Sequence, residues 1–118
     1  MQDEVIDLIP RKVDLMNKDN IVLIDIRTDI EFKQTGIIKN SHKLTFFDIY
    51  GNYDLDEWMK KFEKLVTNKD QTFILICAHA NRTRTVGNYL VSLGYKNCAH
   101  LHGGIAQWIE EQRETVFN

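Results

Sequence analysis

The sequence predicts an α/β fold: a mainly parallel central sheet of about five strands, with helices on both faces and right-handed crossovers. Two continuous apolar runs, at residues 21–26 and 72–76, are bounded by polar residues, as strands covered on both faces are. Segments with apolar residues at helical spacing alternate with the strands along the chain. At 118 residues, 43% of them apolar and 27% charged, the chain fits one soluble globular domain, spanning 1–118, with a core that needs no staples.

Residues 4–8 read as a short edge strand. Pro10 suits the first turn of a helix, so residues 10–17 read as a short one, and Lys18-Asp19-Asn20 as a turn into the strand at 21–26. Thr28 or Asp29 caps a brief helix running to about residue 34, and Gly36 ends it. Residues 41–47 carry the weakest pattern: a short strand near Lys43-Leu44, then a turn over 48–52. Asp54 followed by Glu57 resembles a capping box, after which Leu55, Trp58, Met59, Phe62, Leu65 and Val66 repeat at helical spacing. Past the strand at 72–76 and a short loop, Val86, Tyr89, Leu90 and Leu93 line one face of a helix that Gly94 stops. Residues 99–101 form a short strand, Gly103 and Gly104 a tight turn, and the last helix turns Ile105, Trp108 and Ile109 to the core. Residues 115–118 are expected to fray.

The chemistry is expected at Cys77, where the second apolar run breaks into a polar loop and a helix begins at once. Sites in open α/β sheets form outside the carboxyl ends of strands. A loop from Cys77 to Arg82 that curls ahead of a helix turns successive backbone N–H groups inward, and the helix adds its unsatisfied first-turn donors. Bringing a thiol from about 8.5 to about 6.5 requires roughly 2.7 kcal/mol of preference for the thiolate. Two or three amide hydrogen bonds to the charged sulfur, at roughly 1.5–3 kcal/mol each, suffice. Cys77 is therefore expected to be a thiolate nucleophile at neutral pH. Arg82 is expected to hold a substrate anion or the loop carbonyls, His79 to sit on the rim, and Arg84 to point to solvent. Thr83 and Thr85 open the helix as candidate caps, and Thr83 is also a candidate donor to a bound anion. Asp25, ending the first central strand, is given a supporting structural role, and Arg27 and Glu31 are expected to pair with each other or fix the loop.

Cys77-x-x-x-x-Arg82-Thr83 resembles the active-site loop of rhodanese-domain sulfurtransferases. Leu23-Ile24-Asp25-Ile26-Arg27, followed by Glu31-Phe32 and Gly36-Ile37-Ile38, resembles that family's first motif. Leu93-Gly94-Tyr95 is a family-like helix stop, and Leu101 to Trp108 resembles its closing glycine-glycine-x-x-x-tryptophan segment, so the likeness runs from about Ile9 to about Glu111. The resemblance implies a rhodanese fold and a persulfide on Cys77, its outer sulfur cradled by the amides of Ala78, His79, Ala80, Asn81, Arg82 and Thr83. A small sulfur-donor anion such as thiosulfate and a thiol or cyanide acceptor are the implied partners, with no cofactor. Three positions depart from the pattern. Ala80 stands where the family usually has glycine, Ile37 where it has histidine, and Ala78 where thiosulfate-using members often carry a basic residue.

Two other readings stay open. Cysteine phosphatases share this kind of fold, but their loops place the arginine six positions after the cysteine, where this chain has Thr83. A non-enzymatic persulfide carrier or regulatory binding module is the other, with Ala80 as a sign of relaxed demands on the loop.

A net charge of −2 gives no reason to expect nucleic acid or an anionic membrane as partner, and no apolar run approaches the roughly 20 residues of a membrane span. The acidic start, Met1-Gln2-Asp3-Glu4-Val5, is unlike a secretory signal, so a cytoplasmic monomer is expected. The two cysteines do not imply a disulfide framework, and Cys98 reads as a small buried apolar residue. Cys98, His100 and His102 alternate at strand spacing, but a fourth ligand is missing and no metal is expected.

Overall fold

A computed structural model describes residues 4–117. The elements in chain order are β1 (Ile6–Leu8), α1 (Pro10–Asp14), a 3₁₀ turn (Lys18–Asn20), β2 (Ile21–Asp25), α2 (Asp29–Thr35), β3 (His42–Lys43), α3 (Leu55–Leu65), β4 (Thr72–Ile76), α4 (Asn81–Ser92), β5 (Cys98–Leu101) and α5 (Gly104–Glu110). The five strands form one sheet in the order β1-β5-β4-β2-β3, and every pair is parallel. The predicted α/β architecture is the observed one.

Alternation along the strands divides the core into two layers. Ile24, Phe73, Leu75, Cys77 and Cys98 pack with Trp58 and Phe62 of α3 and Val86 and Leu90 of α4. Leu23, Ile74, Ile76, Ala99 and Leu101 pack with Val13 of α1 and Ile105 and Trp108 of α5. The first layer is rich in rings: Trp58 stacks on Phe62 at 5.1 Å, and Phe62 meets Phe73 and Tyr95 edge-on. The indole N–H of Trp58 donates to the Leu44 carbonyl at 2.9 Å, so the ring's one polar atom is satisfied in the core.

Several helix starts follow local chemistry. Thr28 caps α2 in a capping box with Glu31, and Gly36 at φ 73° ends that helix. The Asp54 side chain accepts from the Glu57 amide at the start of α3, and Pro10 occupies the first turn of α1.

Four expectations need correction. α1 ends at Asp14, not at residue 17. In α4 the buried stripe is Thr83, Val86, Gly87, Leu90 and Val91, while Tyr89 and Leu93 are exposed. The helix lies so close to Val5 that a Cβ on Gly87 would come within 2.6 Å of it, and this approach turns the Gly87 side of the helix inward. Ile109 is exposed, leaving Ile105 and Trp108 as the inward residues of α5. Residues 115–116 are held: Val116 and Ile37 exchange two backbone hydrogen bonds, and the Thr115 hydroxyl donates to the Thr35 carbonyl. Asn118 lies outside the described residues. Among the described residues, no helix is long and apolar enough to cross a membrane.

Candidate active site

Cys77 follows the last residue of β4 and lies on the sheet face that α4 covers, with 1% of its surface exposed. The chain then turns through Ala78, His79 and Ala80 into α4. Ala80 is the N-cap and adopts the left-handed conformation, φ 71° and ψ 4°. The first helical bond runs from the Arg84 amide to the Ala80 carbonyl, so the amides of Asn81, Arg82 and Thr83 are the first-turn donors that helical geometry leaves over.

The left-handed turn explains why glycine suits position 80. A residue with a Cβ pays roughly 1–2 kcal/mol there, and glycine returns about 0.4–1 kcal/mol through a freer unfolded chain. Ala80→Gly is therefore expected to stabilise the protein by about 0.5–1 kcal/mol, read as a higher urea midpoint at unchanged slope.

The opposite side of the loop is clamped by α5. The amides of Ile105 and Ala106 donate to the carbonyls of Cys77 and Ala78, at 2.8 and 3.1 Å. Both residues of the Gly103-Gly104 pair take a positive φ at this helix start, 72° and 62°. A Cβ on Gly104 would stand 2.4 Å from the carbonyl oxygens of Cys77 and Ala78. The pair is thus more than a tight turn: it lets one helix start seat against the backbone of the reactive loop.

Arg82 makes a bidentate pair with Glu31: Nη1 donates to Oε1 at 2.9 Å and Nη2 to Oε2 at 2.7 Å. Glu31 is also the capping-box residue of α2, so one carboxylate closes a helix start and ties that helix to the loop. The Arg82 hydrogen bonds are the main cause that lowers the Glu31 carboxyl to about 2, and Glu31 in turn raises the Arg82 guanidinium. Of the two alternatives expected for Arg27 and Glu31, the mutual pair is not formed, and Glu31 is tied to the loop through Arg82. Arg27 turns instead to Asp25, with Nε 2.9 Å from Oδ1 and Nη2 2.7 Å from Oδ2, both side chains buried. Its remaining donors reach the Gly36 carbonyl and the Thr35 hydroxyl, at 2.9 and 2.8 Å. Burial pushes the Asp25 carboxyl up, against the pull of Arg27.

Thr83 is fully buried and does not cap the helix. Its Oγ1 lies 3.4 Å from the Cys77 Sγ and 2.7 Å from the Nδ1 of His100. The Nε2 of His100 lies 3.2 Å from Oδ1 of Asp7, whose Oδ2 is 2.6 Å from His102 Nδ1. His79 and Asn81 are exposed beside the loop, and Ala78 is partly buried. The structure therefore gathers Cys77 to Thr83 around one turn, and sets Asp25 and Arg27 behind it as a buried brace. Sequence reasoning missed Asp7 and weighed His100 only as a metal ligand. The signal that joins them is the strand register, which pairs Asp7 with His100. Among the described residues, no three His, Cys, Asp or Glu side chains converge as metal ligands, and burial pushes the Cys98 thiol up to about 12.

A model of the rhodanese-like domain matches residues 12–111. An uncharacterized protein of Rickettsia conorii is 31% identical over 93 residues, covering 76% of this chain and 73% of its own. The thiosulfate sulfurtransferase GlpE of Pseudoalteromonas translucida is 28% identical over 108 residues, covering 92% of this chain and 91% of its own. The crystal structure of a rhodanese-related protein from Thermoplasma volcanium superposes with a TM-score of 0.73 at 26% identity, covering 96% of this chain and 99% of that one. A family match over all but the two ends, on a five-stranded parallel sheet whose fourth strand delivers a cysteine into a loop closed by arginine, has one meaning: the chain belongs to the rhodanese-like domain family.

Proposed function

We propose that the domain transfers a sulfane sulfur from a donor such as thiosulfate to a thiol or cyanide acceptor, through a persulfide on Cys77. The observation that carries this reading is the Cys77 thiol at the floor of a tight loop, with the first-turn amides of α4 on its rim. In the first half-reaction the Cys77 thiolate attacks the outer sulfur of the donor. The donor's S–S bond breaks and sulfite leaves with the bonding pair. The charge on the new outer sulfur is held by the amides of Ala78 to Thr83. In the second half-reaction the acceptor takes that sulfur and the thiolate is restored, which predicts ping-pong kinetics.

The burial of Cys77 favours a donor that presents a slender terminal atom over a bulky tetrahedral ester. Where a phosphatase loop would carry its arginine, Thr83 is already engaged by Cys77 and His100. The likeness to a thiosulfate sulfurtransferase over nine-tenths of both chains supports the same chemistry. Arg82, held by Glu31, fixes the helix end of the loop.

Intact-protein mass spectrometry after brief exposure to thiosulfate tests the proposal. The wild type is expected to gain one sulfur atom that cyanide removes, and Cys77→Ser to gain none. No gain with thiosulfate, mercaptopyruvate or a protein persulfide overturns sulfur transfer and leaves the binding-module reading.

A further inference from the structure

We propose that His100, seated against Asp7, takes up the Cys77 proton through the hydroxyl of Thr83. Thr83 touches the reacting sulfur, whereas His100 acts through it and is a positioning residue. The inference rests on Cys77 being the reactive group of the proposed function, but not on which donor it meets.

Four groups stand in line: Cys77 Sγ, Thr83 Oγ1 at 3.4 Å, His100 Nδ1 a further 2.7 Å on, and Asp7 Oδ1 3.2 Å from Nε2 across the ring. The first three residues are buried to within 1%. Asp7 is half-exposed at the sheet edge, and its strand register sets it beside His100. A carboxylate only accepts, so the ring proton of neutral His100 sits on Nε2 and Nδ1 is left as an acceptor. The Thr83 hydroxyl then donates to Nδ1, and its oxygen is free to accept from the Cys77 S–H. Every donor is used while the thiol is protonated.

The same heavy atoms fit the ionised pair equally well. With the former hydroxyl proton on Nδ1, the imidazolium donates to the Thr83 oxygen, and the hydroxyl, now carrying the former thiol proton, donates to the sulfur. Passing between the states breaks the S–H and one O–H bond and forms one O–H and one N–H bond. No electron changes hands, and the products are a thiolate and an imidazolium beside a carboxylate. After an acceptor removes the outer sulfur, the proton returns by the same path to the thiolate.

Burial is the largest influence on the ring and sets His100 below its ordinary value. Burial, Arg84 of α4 and His102 favour the neutral ring, while Asp7 of β1 and the Ala80 carbonyl favour the charged one. A thiolate formed on Cys77 adds an attraction that favours the charged ring. A merely structural histidine needs no proton path to the one buried nucleophile of the site.

The test is the pH profile of Cys77 alkylation by iodoacetamide, followed by peptide mass spectrometry from about pH 5 to about pH 10 on the full chain. Cys98, pushed up to about 12, stays silent over this range. His100→Asn keeps an acceptor for the Thr83 hydroxyl but cannot hold a proton. It is expected to move the inflection up by about one pH unit or more, slowing alkylation about tenfold at pH 6.5, with rates converging above about pH 9.5. Thr83→Val is expected to do the same and Thr83→Ser to preserve the wild-type profile, a comparison that decides the matter if His100→Asn does not fold. An inflection unmoved in both His100→Asn and Thr83→Val overturns the relay. Because alkylation needs no sulfur donor, a shifted inflection in a protein that never loads sulfur overturns the proposed transfer and keeps the relay.

Discussion

Gly104→Ala is expected to destabilise the protein by about 1.5–4 kcal/mol, the sum of a left-handed conformation imposed on a residue with a Cβ, net of the stiffer unfolded chain, and of overpacking. The added carbon would lie 2.4 Å from two carbonyl oxygens, those of Cys77 and Ala78, and neither is the far end of a flexible side chain. Relief requires α5 to withdraw, which breaks the bonds from Ile105 and Ala106 to that same backbone. The loop then loses its clamp, and sulfur loading on Cys77 should fall even under conditions where the variant stays folded. Gly94 supplies the internal control. It too has a positive φ, of 97°, but its Cβ would meet nothing within 4 Å. Gly94→Ala is expected to show the conformational cost alone, about 0.5–1 kcal/mol once the stiffer unfolded chain is counted, with loading unchanged. Urea midpoints paired with persulfide mass measurements separate the two; equal destabilisation by both variants would remove the clamp from the account.

Asp25→Ala is expected to cost about 3–5 kcal/mol, because it strands the buried Arg27 guanidinium without its counter-charge. Arg27 does more than pair: it binds the Gly36 carbonyl and the Thr35 hydroxyl, so it joins the end of β2 to the end of α2. Loss of its anchor should loosen the helix that carries Glu31, and through Glu31 the Arg82 end of the reactive loop. The exposed pair of Lys96 and Asp70 makes the comparison, since Asp70→Ala should change stability by less than about 1 kcal/mol. Similar urea midpoints for the two variants would show that burial of the Asp25–Arg27 pair carries no energetic weight.

What was legible in the sequence follows from range. The runs at 21–26 and 72–76 declare buried strands because both faces of each are covered, and Thr28, Asp54 and Gly36 are caps that act within four residues of themselves. The Cys77–Arg82 loop is local too, so its outline was readable, whereas the left-handed turn that Ala80 adopts was not. The partners of those residues were not. Glu31 looks suited to Arg27 four residues away, but its place in the α2 capping box aims it across the site at Arg82, 51 positions on. Thr83 reads as a helix-opening hydroxyl until packing turns it inward. Nothing local tells Asp7 that His100 is its neighbour, since only the β1–β5 register does so.

Both borders of the sheet are short, three residues at Ile6–Leu8 and two at His42–Lys43. A long bare strand border is a template on which another chain can pair and a fibre can grow, and short length and inward charge are the usual defences. Asp7 stands at the centre of the first border with its carboxylate turned to His100, so an incoming strand would have to bury a charge already committed elsewhere. The carboxylate that lies against the histidine is therefore also the charge that stands on this short border.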